Sequence, residues 1–459
     1  MNNAFATRPA LADAMGERAL VSGVFAFEAA LAQAQALEGV IPQEAAAVIA
    51  NAAAGISVAP EAVAADAARA GALTIPLVKL LIADVRRRDA SAAGFVHFGA
   101  TSQDAMDTAL VLQLDRAMEL IDADLARLAD AAARLADRHR ATIMQGRTLL
   151  QPATPIAFGQ KAAQWLLAAC EDRTRVRDAA RAALNIQFGG ASGNLGSLGD
   201  KGPAVARRLA SLLPLRFGAR DTDAPLAPWH TRRGNLLNLA AALAIATASA
   251  AKIARDVAHM AQWEVGELAE PPEAGRGVSS AMPHKQNPVR CMATLAAGAR
   301  APGLLATLIA GAVQEHERAL GGWQAEWPTL PELVKLAGGA AAYMADTLDG
   351  LVVNEARMRA NFDSLRGLPM AEIAALALAP SLGRDAAHAL VTDACKRVVA
   401  NDTALAAEIG ADAVARARLC DGDIAKALDP AGALGATATF IDSALAMWRA
   451  QNAAFKTET

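Results

Sequence analysis

The sequence predicts an all-α protein, and three observations carry that prediction. Hydrophobic residues make up 54% of the 459-residue chain, yet aromatic residues only 4%, with a single tyrosine, Tyr343. Alanine dominates the apolar count; it is the best helix former, while aromatic and β-branched strand formers are thin. Two long segments also keep a heptad-like apolar seam, and Gly/Pro/Ser-rich breaks set them off from their neighbours.

Taken along the chain, residues 1–104 read as a domain of short helices, interrupted at 39–42 and 55–60. The next region, 105–360, carries the seams. Leu114, Met118, Ile121, Leu125, Leu128, Ala132 and Leu135 alternate spacings of four and three, and Leu236, Leu239, Leu243, Ala246, Ala250, Ile253, Val257 and Met260 alternate three and four. Each predicts a helix of about 30 residues, roughly 45 Å long, which suits a long bundle. The second is apolar on its other faces too (Leu237, Ala241, Ala244, Ile245, Ala248). It needs cover on every side, which predicts assembly with other copies. Its first part, 234–251, is uncharged but contains Asn235, Asn238, Thr247 and Ser249, and reads as a buried bundle helix rather than a membrane span. From 361 to 459, breaks at 367–369, 383, 410 and 429–430 leave only shorter helices, a third domain.

A net charge of −3 and a pI near 6.2 argue against a nucleic-acid or anionic-membrane partner and leave room for a small anionic substrate. Cys170, Cys291, Cys395 and Cys420 show no metal-ligand or disulfide spacing, which suits a reducing compartment. The early charges Arg8, Asp13, Glu17 and Arg18 leave no apolar core for a signal peptide, so the expected location is cytoplasmic. No cofactor or metal is implied.

The chemistry lies in the breaks at 95–102, 146–155, 188–202, 220–230 and 270–288. In the last of these, Gly277-Val278-Ser279-Ser280-Ala281-Met282-Pro283-His284-Lys285-Gln286-Asn287-Pro288 places two hydroxyls, a lysine and an amide where they can converge on one anion. Gly275 and Gly277 give the mobility of a lid. Thr101-Ser102-Gln103-Asp104 reads as a helix start, with Thr101 as N-cap and Asp104 in capping-box position; exposed N–H groups there also make a carboxylate site. The run Phe188-Gly189-Gly190-Ala191-Ser192-Gly193-Asn194-Leu195 lacks phosphate-loop spacing, which rejects nucleotide binding.

These strings resemble the signatures of the fumarase/aspartase superfamily, which includes class II fumarase, argininosuccinate lyase, adenylosuccinate lyase and a muconate-lactonising branch. The 277–288 string resembles S-S-x-M-P-x-K-x-N-P, 97–104 resembles H-x-G-x-T-S-x-D, and 146–151 resembles G-R-T-H-x-Q. Val278 departs from the glycine many members carry before the serine pair. The resemblance implies a three-domain homotetramer whose long central bundle is shared between subunits, with active sites built from breaks of different subunits. It also implies Ser279 as the catalytic serine moving the proton on the carbon α to a carboxylate, with Lys285 and Asn287 holding that carboxylate. Ser280, Met282, His97, Thr101, Ser102, Arg147 and Gln151 fall at substrate-binding positions.

Leu149 is the informative departure. Lyases of the superfamily carry a histidine there, which assists proton transfer at the departing or entering nitrogen or oxygen, and leucine cannot do this. An intramolecular carboxylate nucleophile needs no deprotonation at neutral pH. The resemblance therefore implies an intramolecular lyase that closes 3-carboxy-cis,cis-muconate to 4-carboxymuconolactone, a step of protocatechuate (beta-ketoadipate) catabolism. His230, within Trp229-His230-Thr231-Arg232-Arg233, is the leading candidate for a catalytic histidine. Arg232, with Arg147, would supply the extra cation a tricarboxylate needs. The run from His316 to Trp327 resembles the same branch; Glu317 and Arg318 are candidates, while Trp323 and Trp327, at i and i+4, suit core packing equally. Two rivals stay open: an adenylosuccinate- or argininosuccinate-type lyase releasing fumarate, and a catalytically silent helical scaffold.

Overall fold

The structure is a computed structural model that describes residues 5–213, 215–218 and 227–457. Residues 220–226 of the predicted 220–230 break lie outside the described residues. Both seams form helices, and both are buried along their whole length. The first lies in a helix spanning Ser102–Arg138, the second in one spanning Gly234–Met260, and every seam residue is at most 8% exposed. With the long helices labelled in chain order, α1 is Glu17–Leu37, α2 Ser102–Arg138, α3 Phe158–Ala183, α4 Gly234–Met260, α5 Val289–Gly311, α6 Gly322–Asp349 and α7 Thr437–Thr457. The remaining helices reach at most 18 residues, in Arg384–Asn401, while α7, 21 residues long, departs from the expectation of only shorter helices after residue 361.

The chain divides into two compact units. One comprises Met1–Leu125, Asp172–Ala251 and Ala293–Tyr343; the other comprises Ala126–Glu171, Lys252–Met292 and Met344–Thr459. Among the described residues the first holds two large cores and a small cluster of Ala72, Met106, Ala319 and Trp323. In one, Leu114, Met118 and Ile121 of α2 pack with Leu239 and Leu243 of α4, Leu308 of α5 and Leu333 and Val334 of α6. In the other, Phe27 and Leu31 of α1 pack with Ile49, Leu77 and Leu81. The second unit holds a core of short C-terminal helices around Leu378, Leu390, Val391, Leu405 and Ile409.

The outer face of α4 is not covered within the single chain. Within the chain Ala241 and Ala244 are half-buried and Ala248 is exposed. Ile245 is 45% exposed. By length and composition alone, α1, α4 and α5 are each long and apolar enough to cross a membrane.

The break at 146–155 is not an irregular loop but a β-hairpin. Strand β1, Ile143–Thr148, pairs antiparallel with β2, Gln151–Ala157, from Ile143 opposite Ala157 to Thr148 opposite Gln151. The register slips between Gln145 and Arg147, at Gly146. A Cβ on Gly146 would lie 2.3 Å from the Thr154 carbonyl oxygen, so the bulge requires glycine. Leu149 and Leu150 form the two-residue tip, both left-handed (φ 50° and 63°). A second ladder pairs β3, Leu268–Ala269, with β4, Val352–Val353.

Candidate active site

In the first unit, the start of α2 is organised by Asp104, which is fully buried. Its carboxylate accepts the N–H groups of Gly189 and Gly190, each at 2.9 Å, and that of Thr101 at 3.0 Å. It also lies 2.7 Å from Nε2 of His230, itself 4% exposed. One carboxylate thus ties together the helix start, the glycine-rich run and the predicted histidine. The expected capping box is half formed: Asp104 accepts from the Thr101 N–H, but the Thr101 hydroxyl accepts from Arg318 Nη1 at 2.9 Å. Arg318 also donates through Nε to Gln103 Oε1 at 3.1 Å. Ser102 is half-buried on the first turn of α2.

His97 stands just before this turn with a left-handed backbone (φ 58°), and its Nδ1 lies 2.6 Å from Glu28 Oε1. Burial alone would lower the imidazole pKa. The Glu28 carboxylate, with Asp104 behind it, outweighs burial and raises it above the ordinary histidine value.

The Trp229–Arg233 run divides by burial. Arg232 is exposed and donates to the Ala227 carbonyl at 3.2 Å. Arg233 is 2% exposed. It reaches Asp107 through Nη1 at 2.8 Å and Glu326 through Nη2 at 2.5 Å, under the Trp229 ring. Burial opposes its charge, but the two carboxylates outweigh that and raise the guanidinium further. Trp323 and Trp327 meet edge to face at 5.0 Å, and Trp323 Nε1 donates to Asp107 at 3.1 Å, so this pair is packing around the ion triad.

In the second unit, the β1–β2 hairpin carries Arg147 and Gln151, both exposed. The Arg147 fork closes on Glu267, with Nη1 to Oε2 at 2.9 Å and Nη2 to Oε1 at 2.7 Å. Glu267 is fully buried and also accepts from Asn361 Nδ2 at 2.9 Å. The guanidinium expected to bind substrate therefore already holds a protein carboxylate, which a ligand would have to share or displace. On α3, burial pushes the half-buried Lys161 amine below its ordinary value, with Lys252 and Arg147 adding to the effect and Asp256 opposing it.

The signature string, also in this unit, is a loop clamped at its base. Gly277 is left-handed (φ 71°), and a Cβ there would meet the Asn287 carbonyl at 2.5 Å. The Asn287 N–H donates to the Gly277 carbonyl at 2.8 Å and its side-chain Nδ2 to the same oxygen at 3.1 Å, while Val278 bridges Gln286. Asn287, expected to hold substrate, thus closes the loop. In the segment between, Ser279 is half-buried and its neighbours, including Ser280, Met282 and Lys285, are exposed. The Ser279 hydroxyl accepts the Met282 N–H at 3.1 Å. The structure gathers His97, Thr101, Ser102 and His230 in one unit. It places Ser279, Ser280, Met282, Lys285 and Asn287 on one loop of the other, and Arg147 and Gln151 on that unit's hairpin.

Residues 3–303 match the family described as Lyase, and residues 367–444 match Adenylosuccinate lyase C-terminus. The chain belongs to the lyase family. Among relatives, the 3-carboxy-cis,cis-muconate cycloisomerase of Bradyrhizobium diazoefficiens is 46% identical over 95% of this chain and 95% of its own. The nitrosuccinate lyase of Streptomyces davaonensis is 40% identical over 94% of this chain and 91% of its own. The solved 3-carboxy-cis,cis-muconate lactonizing enzyme from Pseudomonas putida superposes with a TM-score of 0.91 at 41% identity, covering 98% of this chain and 99% of that one.

For this lyase-family chain, sequence reasoning missed Glu28 and Glu267, and saw Asp104 only as a cap. Nothing local marks Glu28; it lies 69 residues from the histidine it grips. The D of H-x-G-x-T-S-x-D was a usable signal for Asp104, since a cap needs one acceptor and this carboxylate serves four partners. Among the described residues no group of three or more His, Cys, Asp or Glu could hold a metal ion.

Proposed function

We propose that this lyase-family chain closes 3-carboxy-cis,cis-muconate to 4-carboxymuconolactone. The observation that carries the reading is Leu149, a side chain 96% exposed at the hairpin tip, where eliminating lyases of the superfamily carry a histidine. The names of the Bradyrhizobium relative and the Pseudomonas putida structure point the same way. In the reaction, one substrate carboxylate, ionised at neutral pH, attacks an alkene carbon of the same molecule. A C–O bond forms, the π pair moves to the carbon α to a second carboxylate, and that carbon takes a proton. Tethering replaces the entropy cost of bringing a separate nucleophile.

The charge that builds on the second carboxylate calls for cations and N–H donors. Lys285 offers an ammonium with no hydrogen bond or ion pair among the described residues. Ser279 is the proton donor in this reading. The Met282 N–H aimed at its oxygen favours the alkoxide left after the proton departs. In the first unit, Thr101, Arg318, His97 and His230 form a second group of polar side chains suited to carboxylate groups, and Arg232 remains an exposed cation.

We further read the chain as one subunit of a cytoplasmic homotetramer. The apolar outer face of α4 supports this, as does α5, where Met292 is 52% and Ile309 54% exposed. No disulfide links Cys170, Cys291, Cys395 and Cys420, as a reducing compartment favours. Mixing the enzyme with 3-carboxy-cis,cis-muconate and following the product by proton NMR tests the activity: lactone signals support it, and unchanged substrate overturns it.

A further inference from the structure

Glu28 and Gln35 lie seven residues apart on α1 and so share one face of that helix. Both side chains grip the same short segment. Glu28 Oε1 lies 2.6 Å from His97 Nδ1, and Gln35 Nε2 donates to the Phe98 carbonyl at 2.6 Å. The segment they hold is strained, because His97 is left-handed (φ 58°), a conformation a non-glycine residue keeps only when its surroundings enforce it. Glu28 is 1% exposed and its Oε2 has no hydrogen-bond partner. A carboxylate this deeply buried with a single contact requires a cation against it. The partner the structure provides is the His97 imidazole. Its other ring nitrogen, Nε2, makes no hydrogen bond among the described residues, and the side chain keeps 19% of its surface open. Four residues on, Thr101 receives the Arg318 guanidinium.

We propose that Glu28 is a positioning residue for substrate binding: it holds the His97 ring through Nδ1 so that Nε2–H stands ready as a cationic donor to a substrate carboxylate. This rests on the polycarboxylate substrate proposed above. The charged groups that face His97 are Glu28 from α1 and Asp104 from the first turn of α2, and both favour the imidazolium against burial. Replacing Glu28 removes the nearer of them. His97 should then lose its proton at a lower pH than in the wild type, and substrate binding should weaken at that lower pH.

The test uses the full-length protein labelled with ¹³C at histidine Cε1, with His97→Gln to identify the His97 resonance among the seven histidines. In the wild type the His97 titration midpoint is expected above the ordinary value of about 6.5, and in Glu28→Gln below it. KM for 3-carboxy-cis,cis-muconate near neutral pH should rise about tenfold in Glu28→Gln, the scale of one charged hydrogen bond, with kcat changed much less. Glu28→Asp, which keeps the charge, should recover part of both effects. A His97 midpoint that is the same in wild type and Glu28→Gln overturns the proposal. So does a wild-type midpoint at or below about 6.5, a result that stands even where Glu28→Gln fails to fold. A wild type that leaves the muconate unchanged would overturn the substrate reading instead, while the titration would still decide the role of Glu28.

Discussion

Ser279 sits on an exposed loop and makes no contact that holds the fold together beyond its own turn. Ser279→Ala should therefore keep folding and assembly while cutting turnover at least ~100-fold, the usual scale for losing general acid–base assistance. Turnover within a few-fold of wild type, measured on protein with an unchanged circular-dichroism spectrum, would move the proton donor elsewhere. Leu149→His is the complementary change. It restores a histidine at a fully exposed tip, so it should fold, yet it should not speed lactonisation, since no nucleophile there needs deprotonation; a several-fold gain in kcat would contradict the account. At this scale the sequence was legible where a motif keeps residues together, as Ser279 and Lys285 stand on one loop. It was not legible where partners come from distant segments. Nothing in the run Trp229–Arg233 says that Arg233 goes inward and Arg232 outward; that is set by Asp107 and Glu326, 126 and 93 residues away.

The buried ion triad at Arg233 shows how an element can carry a site without touching substrate. It ties α2, through Asp107, to α6, through Glu326, and leaves Asp104 one turn away, with Thr101 just before the helix, in a fixed place. Arg233→Leu would strand two buried carboxylates, and it should destabilise the protein by about 3–5 kcal/mol, read as a shift in denaturant midpoint. A loss below about 1 kcal/mol, the range of exposed ion pairs, would mean the triad carries little. The long helices were readable because their seams bury the same stripe over many turns, and burial repeats with the helix period. The hairpin was not. Its strands are short, Pro152 and Pro155 interrupt β2, and the bulge at Gly146 and the left-handed pair Leu149-Leu150 obey tertiary packing rather than local preference.

For the whole molecule, the apolar faces of α4 and α5 exposed on a single chain are the physical reason to expect assembly. Light scattering should report about four chains, and a stable, active monomer would contradict that. Mixing two inactive variants, one at Ser279 and one at Thr101, should restore part of the activity if each active site takes its loop and its helix start from different subunits; no recovery after subunit exchange would place both in one chain. Lactonisation, not elimination, is the reaction proposed for this chain, and the relative named as a nitrosuccinate lyase makes elimination the competitor to test. The most direct measurement sets 3-carboxy-cis,cis-muconate beside adenylosuccinate and argininosuccinate under one set of conditions. It follows loss of the conjugated-diene absorbance with lactone formation in the first, and fumarate release in the other two. Rapid lactonisation and no fumarate are expected; fumarate released from either adduct at a rate comparable to lactonisation would overturn the proposed reaction.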